Sequence, residues 1–277
     1  MLFVPAGANT FATIQSNATG RPAAAQGTSI TPQTGSKGSW TQLIASTTSE
    51  SYGILICINS NTASTASRNT VVDIGVGPLA AEIVIVPDVL GGNAGGYSIG
   101  GSGMWYFFPL KIDAGSRVVA RARSTVTTAF RVFVQLMQRP INPSMIKKAA
   151  YVDAFGISGT SGTAVTPGTT TESAWVLLGT TTRRCWFWQI GAQIPSGDTA
   201  HNAAVIHLDL AEGTSTTVNN IILQDAVFTT ATTEAHTASP LTIGCEYPVP
   251  EGRNIYARAQ TSGTAEAIQI AAYGAGG

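Results

Sequence analysis

The sequence predicts an all-β fold: two tandem, duplicated antiparallel β-sandwich domains of jelly-roll-like form, preceded by an extended N-terminal arm. Three observations favour this fold. The chain of 277 residues repeats itself at an interval typical of a whole domain. Each copy holds about seven short runs of β-prone residues, the number typical of an antiparallel sandwich. Clusters of Gly, Ser, Thr and Asn separate these runs, and segments with a helical pattern are nearly absent.

The internal repeat can be followed residue by residue. Trp40 recurs as Trp175, an interval of 135 (175 − 40). Further along, the segment 115–122 (GSRVVARA) recurs as 252–259 (GRNIYARA), an interval of 137 (252 − 115). A drift of two residues is what a loop insertion produces. Because solenoid units are only about 20–50 residues long, this period indicates a duplicated domain.

The repeat and the composition together divide the chain into four parts. Residues 1–25 form an extended arm, 26–140 the first β-sandwich, 141–150 a linker and 151–277 the second β-sandwich. The arm is rich in small and polar residues without periodicity, and such arms usually become ordered against a partner. Proline in the linker restricts its own torsion and that of the preceding residue, so we expect the domains to keep a set relation.

The predicted strands alternate between two faces. They are 40–45, 52–59, 70–76, 82–86, 104–112, 117–123 and 129–138 in the first copy, and 175–180, 185–192, 203–210, 219–223, 241–247, 254–260 and 266–273 in the second. In the strand 117–123, Val118, Ala120 and Ala122 share one face. Arg121 lies on the opposite face, so the apolar face is predicted to pack and the other to meet solvent or a neighbouring subunit. The turns before 117 and 254 each contain a glycine, which we expect in a conformation that most residues avoid.

The composition is poor in charge. Charged residues make up 11% of the chain and the formal net charge is zero, against about 25% charged residues in an average soluble domain. A surface with so little charge offers little protection against association. We therefore interpret the chain as one that works covered by neighbouring subunits, while a secreted, threonine-rich β-protein stays open as the alternative.

Several classes of function are not supported. Basic residues are scattered, so no stripe for a nucleic-acid backbone is present. No apolar run is long enough to span a membrane, and the N-terminus lacks the basic region of a secretory signal, so synthesis and assembly in a cytoplasm are expected. We expect no cofactor. The cysteines, Cys57, Cys185 and Cys245, are odd in number without short spacing, and they are predicted to be buried free thiols.

Two motifs imitate catalytic or cofactor sites. The segment 96–100 (GYSIG) matches the GxSxG nucleophile elbow around Ser98, yet neither a strand precedes it nor a helix follows it. The segment 75–80 (GVGPLA) matches a dinucleotide fingerprint, yet it lacks the helix that would hold the pyrophosphate. We therefore expect a non-enzymatic protein, with a hydrolase built on Ser98 as a third candidate.

Metal binding is also not supported by the pattern. His201, His207 and Asp209 are candidate ligands, but the first copy offers no matching set and a site needs three or four converging groups. The aligned carboxylates Asp88 and Asp225 are interpreted as turn residues. The sequence therefore predicts no metal site.

Four residues are predicted to contact other subunits: Arg121, Arg258, Trp186 and Trp188. The two arginines are charges repeated in both copies, and the planar guanidinium pairs with carboxylates and stacks on aromatic rings across contacts. An exposed strand arginine of little consequence is the alternative. The aromatic segment 185–188 sends Trp186 and Trp188 to one strand face, which is either core or a packing surface.

A G-x-R-(V/I)-x-A-R type strand after a turn, a Thr-Pro start and long Thr/Ser/Ala/Gly stretches resemble structural proteins of tailed-bacteriophage particles, of the decoration or tail-accessory type. The resemblance covers both copies and names no catalytic residue. It implies a virion component that assembles as a symmetric homo-oligomer and contacts other virion proteins. The alternative is a carbohydrate-binding module or adhesin, with Trp105, Tyr106, Trp186 or Trp188 as a sugar-stacking platform.

Overall fold

The computed structural model describes residues 13–16, 27–59, 69–91, 104–138, 147–195, 204–214, 217–231, 234–237 and 244–277. These residues contain strands, turns and irregular segments but no α-helix, and hence none that would reach across a lipid bilayer. In the first half the strands are β1 (Thr13–Ser16), β2 (Thr28–Ile30), β3 (Thr41–Ile44), β4 (Ser51–Asn59), β5 (Thr70–Val76), β6 (Ile83–Leu90), β7 (Met104–Phe108), β8 (Val118–Ser124) and β9 (Phe130–Gln138). In the second half they are β10 (Tyr151–Phe155), β11 (Thr163–Val165), β12 (Val176–Thr180), β13 (Cys185–Gln193), β14 (Val205–Gly213), β15 (Val218–Ala231), β16 (Glu234–Thr237), β17 (Cys245–Val249), β18 (Asn254–Thr261) and β19 (Ile268–Gly276).

Each half consists of two antiparallel sheets with the same strand order. The first A sheet runs β1-β9-β4-β7 with β2 also on β9, and the second A sheet runs β10-β19-β13-β17 with β11 also on β19. The first B sheet runs β3-β8-β5-β6, and the second runs β12-β18-β14-β15-β16. Apart from β16, each described strand of one half therefore has a counterpart in the other. The predicted fold class, tandem duplicated β-sandwiches, is confirmed.

Most strands fall where the alternation predicts them, and Thr70–Val76 matches to the residue. The sequence missed five strands of three to five residues: β1, β2, β10, β11 and β16. A strand this short shows too few alternations to be recognised. The turn glycines behave as expected, since Gly115 and Gly252 have φ of 78° and 79°, in the left-handed region.

The arm and the linker are described only in part. Of the predicted arm, Thr13–Ser16 pairs with β9, and the rest of 1–25 lies outside the described residues. Of the predicted linker, 141–146 also lies outside them. Ala149 is buried and bonded to the first half, because its N–H donates to the Pro109 carbonyl at 2.6 Å. The domain boundaries themselves stay a prediction.

The second A sheet is covered on both faces. Every residue of β13 is buried. On the inner face, Trp188 stacks near Phe155, with ring centroids 5.6 Å apart, inside the second sandwich. On the outer face, Phe187 packs edge-on against Phe107 of the first half at 6.0 Å. The apolar cores of the two halves are consequently continuous.

Side chains of the second A sheet also complete the edge strand β7. Gln189 Oε1 accepts a hydrogen bond from the Phe107 backbone N–H at 3.0 Å. An unpaired strand edge is a template for unwanted pairing, and this contact fills one of its positions. Nearby, a Cβ on Gly191 would lie 2.6 Å from the Tyr106 hydroxyl oxygen, so only glycine allows the two halves to approach this closely.

A pair of buried tyrosines joins the two halves at the edge strand β6. The Tyr273 hydroxyl accepts from the Leu90 N–H at 2.8 Å and donates to the Asp88 carbonyl at 3.1 Å. The Tyr106 hydroxyl donates to the Leu90 carbonyl at 2.9 Å, and the two rings meet edge-on at 5.5 Å. Both hydroxyls are buried, so each depends on these partners instead of water.

We predict that the two halves unfold in one transition, because they share a continuous core. We also predict that Tyr273→Phe lowers the free energy of unfolding by about 1–3 kcal/mol, because the buried Leu90 N–H loses its acceptor. The measurement is urea denaturation followed by circular dichroism. Tyr151→Phe is the matched control: its hydroxyl donates to the Arg184 carbonyl at an exposed position, so the loss should stay below about 1 kcal/mol. Two separated transitions, or equal losses in the two variants, would contradict this interpretation.

Candidate functional site

A row of polar and aromatic side chains crosses the outer face of each B sheet. The first cluster consists of Lys37, Trp40, Asp73, Asp88 and Arg121. The second cluster consists of Glu172, Trp175, Asp209, Asp225 and Arg258. The neighbouring positions on these strands face the core, so alternation turns the clusters outward.

Strand register brings the central ion pair of each cluster together. Asp73 lies directly opposite Arg121 across β5 and β8, and Asp209 lies opposite Arg258 across β14 and β18. Arg121 Nε donates to Asp73 Oδ2 at 2.9 Å, and Arg258 Nε donates to Asp209 Oδ2 at 2.8 Å. Opposite charges in directly facing positions stabilise a strand pair. The two arginines singled out from the sequence therefore play the same part in both halves.

Each arginine also stacks on a tryptophan that precedes the first strand of its B sheet. The Arg121 guanidinium carbon lies 4.4 Å from the Trp40 ring centroid, and that of Arg258 lies 4.3 Å from the Trp175 centroid. A cation over an aromatic face at this distance is attracted by the ring. The contact ties the segment before β3 or β12 to the middle of the sheet.

The aligned aspartates Asp88 and Asp225 occupy a special backbone position. The sequence interpreted them as turn residues, but the structure places both inside strands, β6 and β15, where the register shifts against the neighbouring strand. Their φ values, 50° and 53°, are left-handed. Their N–H groups donate to Asp73 Oδ1 at 3.0 Å and to Asp209 Oδ1 at 2.8 Å. The buried aspartate thus holds the bulge in each half.

The two clusters differ in one member, at positions 37 and 172, which are again 135 apart (172 − 37). Lys37 Nζ lies 2.6 Å from Asp73 Oδ1 and 2.7 Å from Asp88 Oδ1. In the second cluster a glutamate replaces the lysine, and its carboxylate pairs with Arg258. Two carboxylates face two cations in the first cluster, whereas three carboxylates face one cation in the second.

The different charge balance is reflected in the pKa values. Burial raises the pKa of Asp73, but the Lys37 ammonium, the Asp88 N–H and Arg121 outweigh burial, so the pKa lies below its ordinary 3.8. Burial and the neighbouring Asp209 carboxylate together raise the pKa of Glu172. The first cluster is electrostatically satisfied by the chain, and the second is not.

The two tryptophans predicted to contact other subunits lie inside the chain. Trp186 is 3% exposed and Trp188 is fully buried. Alternation alone predicted one buried and one exposed face for this strand, but the first half covers the second face as well. A role for Trp186, Trp188, Arg121 and Arg258 at an intermolecular interface stays a prediction, because a single chain has no partner subunit.

Of the four aromatic residues considered for a sugar-stacking platform, Tyr106, Trp186 and Trp188 are buried. Tyr106 and Trp188 are fully buried and Trp186 nearly so. Trp105 is half-buried and packs edge-on against Phe133, with centroids 6.2 Å apart. A buried ring offers no face to a sugar, so the first three residues cannot bind one in this fold.

Of the two sequence motifs that imitate catalytic or cofactor sites, the structure describes only one. The segment 96–100 with Ser98, and His201, lie outside the described residues. The segment 75–80 is the end of β5 followed by a turn, so no helix follows its glycines.

The three thiols are free, and burial raises the pKa of Cys57 and Cys185 to about 12. Such thiols stay protonated and unreactive near neutral pH. Cys57 and Cys185 are buried as predicted, whereas Cys245 is only partly buried.

Comparison with known proteins finds only solved structures of low sequence identity. No protein-family model matches the chain, and neither does any curated protein. Among solved structures, PNGF-II in a C2 crystal form is 6% identical with a TM-score of 0.39, over 89% of this chain and 58% of that one. The structure of Sulfolobus turreted icosahedral virus matches at 8% identity and a TM-score of 0.36, over 95% and 90% of the two chains. Infectious bursal disease virus, Gt strain, matches at 11% identity and a TM-score of 0.23, over 96% and 73%.

The chain spans less than two thirds of the PNGF-II chain, since it covers 58% of it. The matched structures include two viruses as well as PNGF-II. TM-scores this low carry no argument about family or activity, so the interpretation depends on the residues of this chain.

We predict that Arg258→Met destabilises the protein more than Arg121→Met, by about 3 against about 1 kcal/mol of unfolding free energy. Without Arg121, the buried Asp73 keeps the Lys37 ammonium as a partner. Without Arg258, the buried Asp209 is left beside two other carboxylates. Urea denaturation of both variants in metal-free buffer measures the difference. Equal losses would show that the lysine does not compensate for the missing arginine.

We also predict that Asp73 contributes to acid sensitivity. Its pKa is lower in the folded chain than the ordinary 3.8, so its contribution to stability is present above that pH and is lost as the pH falls through the folded value. The stability gap between wild type and Asp73→Asn should therefore be largest at neutral pH and narrow below about pH 4. Urea midpoints across this range give the gap, and a gap that widens on acidification would overturn the assignment.

Proposed function

We propose that this chain is a non-enzymatic structural component of a phage virion, which assembles as a symmetric homo-oligomer on the particle. The observation that carries the proposal is the exposure of large apolar side chains on a protein without net charge. Leu79, in the turn between β5 and β6, is 81% exposed, and Ile83, the first residue of β6, is 68% exposed. Since the chain carries equal numbers of acidic and basic residues, net repulsion does not keep such surfaces apart.

The second half supports the proposal with a different surface. Leu177, 51% exposed, and Ile221, 40% exposed, lie at the two ends of one cross-strand row on the outer face of the second B sheet. The row runs Leu177, Tyr256, Ala211 and Ile221. Tyr256 and Ala211 are buried, so the two end residues provide the apolar surface that a subunit contact would cover.

The chain is also built as a rigid double unit, which suits a structural role. The halves share a continuous core and their facing edges are joined by hydrogen bonds. A ring of three such chains would present six similar domains, which fits surfaces of three-fold and six-fold symmetry. Cryo-electron microscopy of intact particles, traced at side-chain resolution, tests the placement directly.

We predict that Leu79→Asp combined with Ile83→Asp dissociates the assembly, because charge in a subunit contact must be desolvated without a partner. Size-exclusion chromatography with light scattering gives the mass of wild type and variant. Ala114→Asp, an exposed alanine in the turn before β8, adds charge elsewhere and should leave the mass unchanged. A wild-type chain that is monomeric at all concentrations and absent from purified particles would refute the proposed function.

A further inference from the structure

The duplication gives the molecule two versions of one cluster, which can be compared position by position. In the first cluster a cationic group, the Lys37 ammonium, is held between two carboxylate oxygens at 2.6 and 2.7 Å. The aspartates that hold it are the counterparts of Asp209 and Asp225. In the first cluster this position therefore holds a positive charge that the chain itself provides.

The second cluster preserves the geometry of this position. The Asp225 N–H donates to Asp209 Oδ1 just as the Asp88 N–H donates to Asp73 Oδ1. Arg258 is committed to the other oxygen, Asp209 Oδ2, at 2.8 Å. The oxygen that corresponds to the lysine acceptor, Asp209 Oδ1, thus points to the same place as in the first cluster.

Glutamate at position 172 turns this place into a set of three carboxylates. One oxygen each of Glu172, Asp209 and Asp225 lies within 4.8 Å of the others. Arg258 balances one of the three charges, and His207 Nδ1 lies 3.7 Å from Asp225 Oδ1. Asp209 is 2% exposed, so water screens its charge poorly.

We propose that Glu172, Asp209 and Asp225 bind one divalent cation of the calcium type, at the position that the Lys37 ammonium occupies in the first cluster. Hard cations take carboxylate oxygens, and calcium binds them at about 2.3–2.6 Å in flexible geometry. Two oxygens on one calcium ion can be about 4.8 Å apart, whereas magnesium holds its ligands closer. Glu172 and Asp225 are 30% and 56% exposed, which leaves room for water to complete the shell.

The cation would connect the same parts of the fold as the lysine does. Lys37 precedes β3 and reaches across the B sheet to β5 and β6. Glu172 precedes β12, and the bound ion would join it to β14 and β15. Binding should therefore stabilise the attachment of the segment before β12 to the outer face of the second B sheet.

The first experiment titrates the full chain, freed of metal with a chelator, with calcium by isothermal titration calorimetry. We expect one ion per chain with a Kd on the order of 10⁻⁵–10⁻³ M, and weaker binding of magnesium. Calcium at a hundredfold excess over Kd should raise the melting temperature by about 3–6 °C. Terbium adds a local probe, because Trp175, stacked on Arg258, lies beside the site and can sensitise its emission.

The second experiment exchanges the two clusters. Glu172→Lys installs the lysine of the first cluster, so it should abolish calcium binding and raise the melting temperature measured in chelator. Lys37→Glu should create a second site, giving two ions per chain. Asp225→Asn should weaken binding at least ~10-fold, whereas its counterpart Asp88→Asn is the matched control and should leave the affinity unchanged. Circular dichroism confirms that each variant is folded.

Several outcomes would overturn the site. A wild-type chain that shows neither calcium heat nor a melting shift at about 20 mM calcium, well above the weakest expected Kd, does not bind the ion. Binding that persists unchanged in Glu172→Lys and Asp225→Asn places the ion elsewhere. Magnesium binding as tight as calcium binding contradicts the calcium type. If Glu172→Lys raises the melting temperature while the wild type does not bind calcium, bound protons and not a metal cation neutralise the carboxylates of the second cluster.

Discussion

The structure depends on the burial of the outer face of the second A sheet against the open side of the first sandwich. There the edge strands β6 and β7 end the two sheets of the first half, and Tyr273 and Gln189 bond to their free backbone groups. Because the same sheet also covers its own B sheet, β13 is buried on both faces and contains Cys-Trp-Phe-Trp instead of an alternating pattern. The close approach at Gly191 and the tyrosine pair follow from this packing.

Features that depend on local sequence were predictable. Strand alternation located β5 and β8, and the repeat implied that whatever the first half forms, the second forms again. The turn glycines Gly115 and Gly252 were identifiable because a tight turn before a strand needs a left-handed residue. The arginines of the central ion pairs were also identifiable, as charges repeated on the outward face of equivalent strands.

Features that join distant segments were not predictable. Nothing in the pattern of 185–193 shows that the first half will cover the outer face of this strand, so the sequence left open whether Trp186 and Trp188 lie in the core or at a packing surface. The strands β2 and β11 were too short for periodicity, although their Thr-x-(Ile/Val) text is repeated. The contact between Asp73 on β5 and Asp88 on β6 depends on a register shift between these two strands, and the sequence does not reveal such a shift. The aligned pairs Trp40/Trp175 and Asp88/Asp225 were the available signal, since two identical residues at matching places indicate a shared structural task.

Duplication also separates what the scaffold needs from what one copy alone has acquired. Tryptophan, arginine and both aspartates recur, so they belong to the scaffold: they hold the bulge and attach the segment before the sheet. Position 37/172 changes sign, although the oxygens around it stay in place. Such a reversal is costly without a compensating charge, because the buried Asp209 and the two carboxylates beside it repel one another in a medium of low dielectric. A reversal that leaves the rest of the cluster intact therefore indicates that positive charge reaches the second B sheet from outside the chain. The first B sheet obtains its positive charge from Lys37. The attachment of the segment before β12 should therefore depend on cations in the surrounding solution, whereas that of the segment before β3 should not.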